Sequence, residues 1–228
     1  MNFLLDQMSF ITMSCAAKYY FTSNQEAEGE ASVFESIHLS NFKHAGSIAF
    51  GSFIHTVLYV FHILNEMLQQ AAGESENPVA KCIACVLGCF LACLEALIEW
   101  LTTLSYAMMG ISGDGYCTSA WSGFILNLKH CVKFYMAVHI ARLFVVLGML
   151  AVVAANCITC YVFMLKVFPE AMQVSSMQSP ILTVGVITFL TTLVFMGPFN
   201  DAVVATLLCF AVDLELNNGD PKFGPPSY

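Results

Sequence analysis

The chain has 228 residues, 58% of them hydrophobic and only 11% charged, with a mean hydropathy of +0.73. A water-soluble fold of this size has too little polar surface in such a composition, so an all-α, multi-pass transmembrane helical bundle is expected. A net charge of −8, from 8 basic and 16 acidic residues, excludes an electrostatic footprint for nucleic acid.

The opening residues, Met1 to Phe10, show no basic stretch followed by a small-residue cleavage site, and are read as mature sequence. Residues 3–21 are apolar and about long enough to span, with Asp6 near the start. Residues 22–43 are polar, acidic and loop-like. A second span is expected over 45–68. Its first turns carry Gly46, Ser47 and Gly51, small residues that let helices approach closely, so helix packing is expected at Gly46 and Gly51. His55, His62, Asn65 and Glu66 make its far end more polar. A polar break follows, with Pro78 well placed at a helix start.

Residues 82–110 are apolar but contain Glu95 and Glu99. The glycines of "GISGDG" then predict a turn, and Thr118 or Ser119 is suited to cap the next helix. Over 118–139, Trp121, Phe124, Ile125, Leu128, Val132 and Tyr135 recur at helical spacing with Lys129, His130 and Lys133 between them. That is the pattern of an interfacial amphipathic helix. A third span is expected over 143–165 and a fourth over 181–199, closed by Gly197-Pro198. A further helix from Asn200 to Leu216 precedes a disordered cytoplasmic tail, 217–228.

Orientation follows from Lys and Arg. Lys81, Lys129, Lys133 and Arg142 fall between Gln69 and Arg142, whereas the loops 22–43 and 167–180 contain only Lys43 between them. The segment 69–142 is therefore expected in the cytoplasm, with 82–110 and 118–139 as interfacial helices. Crossing there would place charges at depth, at about 2.5–3.5 kcal/mol each on insertion scales.

Few motifs carry chemistry. Cys82, Cys85, Cys89 and Cys93 share a helix face. Cys82 and Cys93 would lie about 16 Å apart along a helix, so the four cannot surround one metal ion, and packing or lipidation at the interface fits better. No cofactor motif, nucleophile triad or phosphate loop appears, so no enzyme is indicated. Glu95 and Glu99 read as the wet side of a helix. His55 and His62 share a face and could line a polar pathway. Aromatic faces and small hydroxyls on one span are also groups that could line such a pathway. Phe50, Phe53 and Tyr59 offer such faces, and Ser47 and Ser52 small polar contacts. A substrate pathway is thus expected at Ser47, Phe50, Ser52 and His55.

"HAGSIAFGSFI" at 44–54, "CLEALIEWLTTLSYAMMGISGDGYCTSAW" at 93–121, "LFVVLGMLAVV" at 143–153 and "FAVDLELNNGDP" at 210–221 resemble the choline transporter-like family, in order and spacing. The family's Asn-Ala-Tyr corresponds to Leu104-Ser105-Tyr106-Ala107 and its Phe-Cys to Tyr116-Cys117. The likeness is to the C-terminal part of a longer architecture. The resemblance implies transport of choline or a related small amine across a plasma or organelle membrane. The alternative is a non-transporting subunit or scaffold in the bilayer, packed against a longer membrane-protein partner or within an oligomer.

Overall fold

A computed structural model describes residues 2–24, 26–74, 78–167 and 178–224. Among the described residues the chain is all-α: α1 (Asn2–Thr22), α2 (Val33–His38), a π-helical turn (Leu39–Lys43), α3 (Ala45–Glu74), α4 (Pro78–Ser112), α5 (Tyr116–Lys129), α6 (Cys131–Val167) and α7 (Gln178–Leu216). Among the described residues, four helices are long and apolar enough to cross a membrane: α3 over Ala45–Ala71, α4 over Lys81–Ser112, α6 over Phe134–Lys166 and α7 over Gln178–Leu216. In the apolar windows of α4, α6 and α7 only 6%, 0% and 6% of residues are buried within this chain, the exposure expected of apolar helices in a bilayer. α1, expected to span, is not among the four, and α4, expected at the interface, is.

Several boundaries differ from the sequence reading. Residues 22–43 are not all loop. Ser32 caps α2 by accepting from the Glu35 N–H, and the π turn closes with the His44 N–H donating to Leu39 O at 3.0 Å. α5 is capped by the extended backbone of Gly115, not by the hydroxyls of Thr118 or Ser119. The helix expected over 118–139 breaks at His130, where no glycine or proline marks a stop; Lys129, the last residue of α5, is tied instead to Glu215, Nζ to Oε1, at 2.6 Å. The expected gap before residue 143 is absent, and α6 runs unbroken. Gly197-Pro198 does not end a helix either. Pro198 lies inside α7, because one missing N–H is a small loss in a segment whose other backbone bonds must stay closed in lipid. The tail is placed through Gly224 and folds back onto α7, while 225–228 lie outside the described residues.

The chain divides into two compact units, residues 1–131 with 204–228, and residues 132–203. In the first, α1 lies against α4 so closely that a Cβ on Gly110 would stand 3.1 Å from the Ser14 Cα. Phe10, Met13, Ile48, Leu104, Met109 and Leu208 are its largest buried apolar side chains. The second unit is an antiparallel pair, with Gly185 against Cys157 and Gly148 against Met196, small residues serving close approach. It carries a groove of about 330 Å³ edged by Asn156, Thr188, Thr191 and Thr192.

Candidate functional site

The polar and aromatic groups of the first unit converge where α1, α3, α4 and α5 meet. Asp6 stands half-buried in the second turn of α1. The Ser52 hydroxyl, buried on α3, donates to Asp6 Oδ2. Tyr106, 2% exposed on α4, sets its phenol against both Asp6 and Ser52, with Ile48 O 3.5 Å from its Oη. Ser52 also lines a cleft of about 440 Å³ with Asn2, Phe3, Ala49, Phe53 and Thr56.

Beneath these groups Tyr116, the first residue of α5, is held twice by α4. Its Oη shares a 2.7 Å hydrogen bond with Thr102 Oγ1, and its carbonyl accepts from Ser105 Oγ at 2.8 Å. Burial pushes the Tyr116 phenol up from its ordinary value, which keeps it neutral, although the Thr102 hydrogen bond acts the other way. Tyr116 packs edge-on against Phe50 at 5.5 Å and Tyr106 at 6.1 Å between ring centroids. Gly51 makes this arrangement possible. A Cβ there would collide with Tyr106 Oη and come within 3.0 Å of Tyr116 Cε2.

Among the described residues Asp6 has no ion pair. The site is therefore one carboxylate, two hydroxyl-bearing rings and a serine beside a cleft edged by Phe3 and Phe53. Negative charge and π faces are, in general, the features that recognise a small cation.

The structure gathers some of the expected site residues and separates others. Ser52 lies at the centre, and Phe50 abuts the cluster through Tyr116. Ser47 is half-buried one turn before Gly51. His55 is half-buried, with no hydrogen bond or ring contact to the described residues. Gly46 has open space where its Cβ would be, so the close packing expected at both glycines is present at Gly51 alone. Phe53 and Tyr59 are exposed. His62 lies beside Glu66 (3.4 Å) and Glu95 (3.7 Å) on an exposed seam between α3 and α4. Cys82, Cys85, Cys89 and Cys93 are exposed and fill no interior gap of this chain.

Sequence reasoning missed Asp6, Thr102, Tyr106 and Tyr116 as site residues. Asp6 had a usable signal, since an ionisable residue within an apolar segment is a functional candidate in its own right. Tyr106 and Tyr116 sat inside the motif stretch, but its glycines drew the reading toward a turn.

Residues 1–215 match the family model described as plasma-membrane choline transporter. Over 97% of its length the chain is 26% identical to Choline transporter-like 2 of Drosophila melanogaster and 29% identical to Choline transporter-like protein 2 of Homo sapiens. Over 89% of its length it is 30% identical to Choline transporter-like protein 5 of Xenopus tropicalis. It spans 28%, 32% and 29% of those proteins' own lengths. With its four span-forming helices, the chain is an integral, multi-pass membrane protein.

Proposed function

This chain belongs to the plasma-membrane choline transporter family, and from that premise we propose that it takes part in moving choline or a related small amine across a membrane, with Asp6 as the counter-charge. The observation that carries the assignment is the carboxylate without an ion pair among the described residues, set against Tyr106 and hydrogen-bonded to Ser52, which lines the 440 Å³ cleft. A quaternary ammonium has no N–H to donate, so its recognition rests on charge and aromatic faces, which Phe3 and Phe53 supply around the cleft.

Uptake of labelled choline by cells expressing the full chain tests this. Asp6→Asn keeps the shape and removes the charge. It is expected to raise the KM for choline roughly tenfold, an energy scale of about 1.4 kcal/mol, at unchanged surface expression. An unaltered KM would remove Asp6 from the site.

A second reading is a non-transporting subunit packed against another membrane protein, for which the nearly uncovered apolar windows of α4, α6 and α7 offer faces. Purification in mild detergent separates the two. A stoichiometric partner with no uptake by the chain alone supports the subunit, and uptake by the chain alone supports the transporter.

A further inference from the structure

At the opposite end of α1 from Asp6 lies a second carboxylate that the transport reading does not use. Asp213, in the last turn of α7, is completely buried. Its Oδ2 accepts from the Tyr20 hydroxyl at 3.2 Å and from the backbone N–H groups of Lys222 and Phe223 at 3.0 Å each; its Oδ1 accepts from Asn217 Nδ2 at 2.6 Å. Those donors come from three separate pieces of chain: α1, the last turn of α7 with its exit, and the returning tail.

The return is built into the backbone. Asn218 and Gly219 take φ of 53° and 96°, and the Gly219 N–H closes on Leu214 O at 2.8 Å, which ends α7 and reverses the chain. Phe223 then meets Phe21 edge-on at 5.6 Å. Gly224, at φ 108°, passes so close to Tyr20 that a Cβ would stand 3.3 Å from its ring.

A fully buried carboxylate is a costly way to gain stability alone, because its desolvation must be offset bond by bond. What it supplies is geometry, since all four donors must point at one side chain.

We propose that Asp213 is a positioning residue: by clasping Tyr20 and the returning tail it sets the placement of α1, and through that helix the placement of Asp6. Tyr20 and Asp6 are joined by an unbroken helix and lie about 21 Å apart along its axis. The functional half of the inference rests on Asp6 as the amine's counter-charge; the clasp itself does not.

Asp213→Asn tests it in the full chain, because an amide of the same shape turns an NH2 toward at least one N–H donor. Three measurements are made on one preparation: trypsin cleavage after Lys222, amide exchange by peptide, and the kinetics of choline uptake. The native chain should resist cleavage after Lys222, and Asp213→Asn should be cut at least tenfold faster. Exchange should rise in residues 213–224 and also in residues 2–10. The KM for choline should rise severalfold with kcat unchanged. Cleavage at the native rate would remove the clasp. A rise in exchange confined to 16–24 and 213–224 would show a local tie that does not reach Asp6, and would overturn the proposal. Where Asp213→Asn fails to fold, Tyr20→Phe removes a single donor and the same readouts apply at smaller size. If the native chain takes up no choline while cleavage and exchange at both ends of α1 respond, the assignment of Asp6 falls and the positioning of α1 stands.

Discussion

Gly51 and Gly46 differ only in what lies opposite them, and that decides their tolerance. An added methyl at Gly51 meets the Tyr106 hydroxyl and the Tyr116 ring, both buried and tied by hydrogen bonds. Overpacking of that kind costs about 1–3 kcal/mol, so Gly51→Ala should lower the Tm in detergent and Gly51→Leu should abolish uptake. Gly46→Ala meets no atom within 4 Å and gains helix propensity, so its Tm should hold or rise. Phe61→Leu, on the exposed far part of α3, should change neither quantity. An unchanged Tm in Gly51→Ala would show that the two tyrosines give way. His44 yields a pH prediction. It is 3% exposed, its ring packs on Phe10 at 5.3 Å, and its Nε2 has no hydrogen-bond partner among the described residues. Burial first, and the Lys43 charge second, hold it below the ordinary value of 6.5. The unfolded chain therefore binds the proton better, and stability rises with pH across the interval between the two values. His44's contribution should be complete above about pH 6.5 and should be lost as pH falls below it. A Tm-against-pH curve that flattens in His44→Gln checks this; an identical slope in the variant would assign the dependence to other groups.

At the scale of elements, α4 carries the most consequential question. Its 35 residues extend about 52 Å, well beyond a hydrocarbon core of about 30 Å. That excess lets the helix cross with Glu99 near one boundary and with Glu95 beside His62 of α3. The sequence-based placement at the interface weighed the two glutamates as if both lay at the centre. Lys81 and the exposed Asp114 flank the segment. If α4 crosses, Lys81→Cys and Asp114→Cys label with an impermeant reagent from opposite sides of the membrane, which is the outcome expected here. Labelling of both from one side would restore the interfacial placement. The break between α5 and α6 belongs to the same scale. "NLKHCVKF" has no helix breaker, and what coincides with the end of α5 is a buried Leu126 and the Lys129–Glu215 pair, both products of tertiary contact.

For the whole molecule, α1 lies at the crossing of the functional proposals. It presents Asp6 to α3 and α4 at one end and Tyr20 to Asp213 at the other, with Ser14 pressed on Gly110 between them. Lys18 adds a tie to Glu35 of α2 at 2.5 Å. A helix fixed at both ends and at its middle transmits a displacement rather than absorbing it. Asp6→Asn and Asp213→Asn should consequently combine less than additively on the KM for choline, as expected for groups acting through one element. Independent effects would argue for two separate sites.

What the sequence determined by itself was the solvent and the class. Long apolar runs with few charges dictate helices in a bilayer, because there each backbone bond must be closed locally, and local closure is written in consecutive residues. The family was legible for the same reason, since its motifs are contiguous. Tertiary structure alone decided which motif residues work together. Asp6 meets Ser52 across 46 positions, and Tyr20 meets Asp213 across 193. No periodicity encodes either pairing. Gly46 and Gly51 look alike in the sequence and part company only when α4 and α5 bring Tyr106 and Tyr116 to one of them. The partner of a residue on a helix face is set by how helices pack, and that is a property of the assembled molecule.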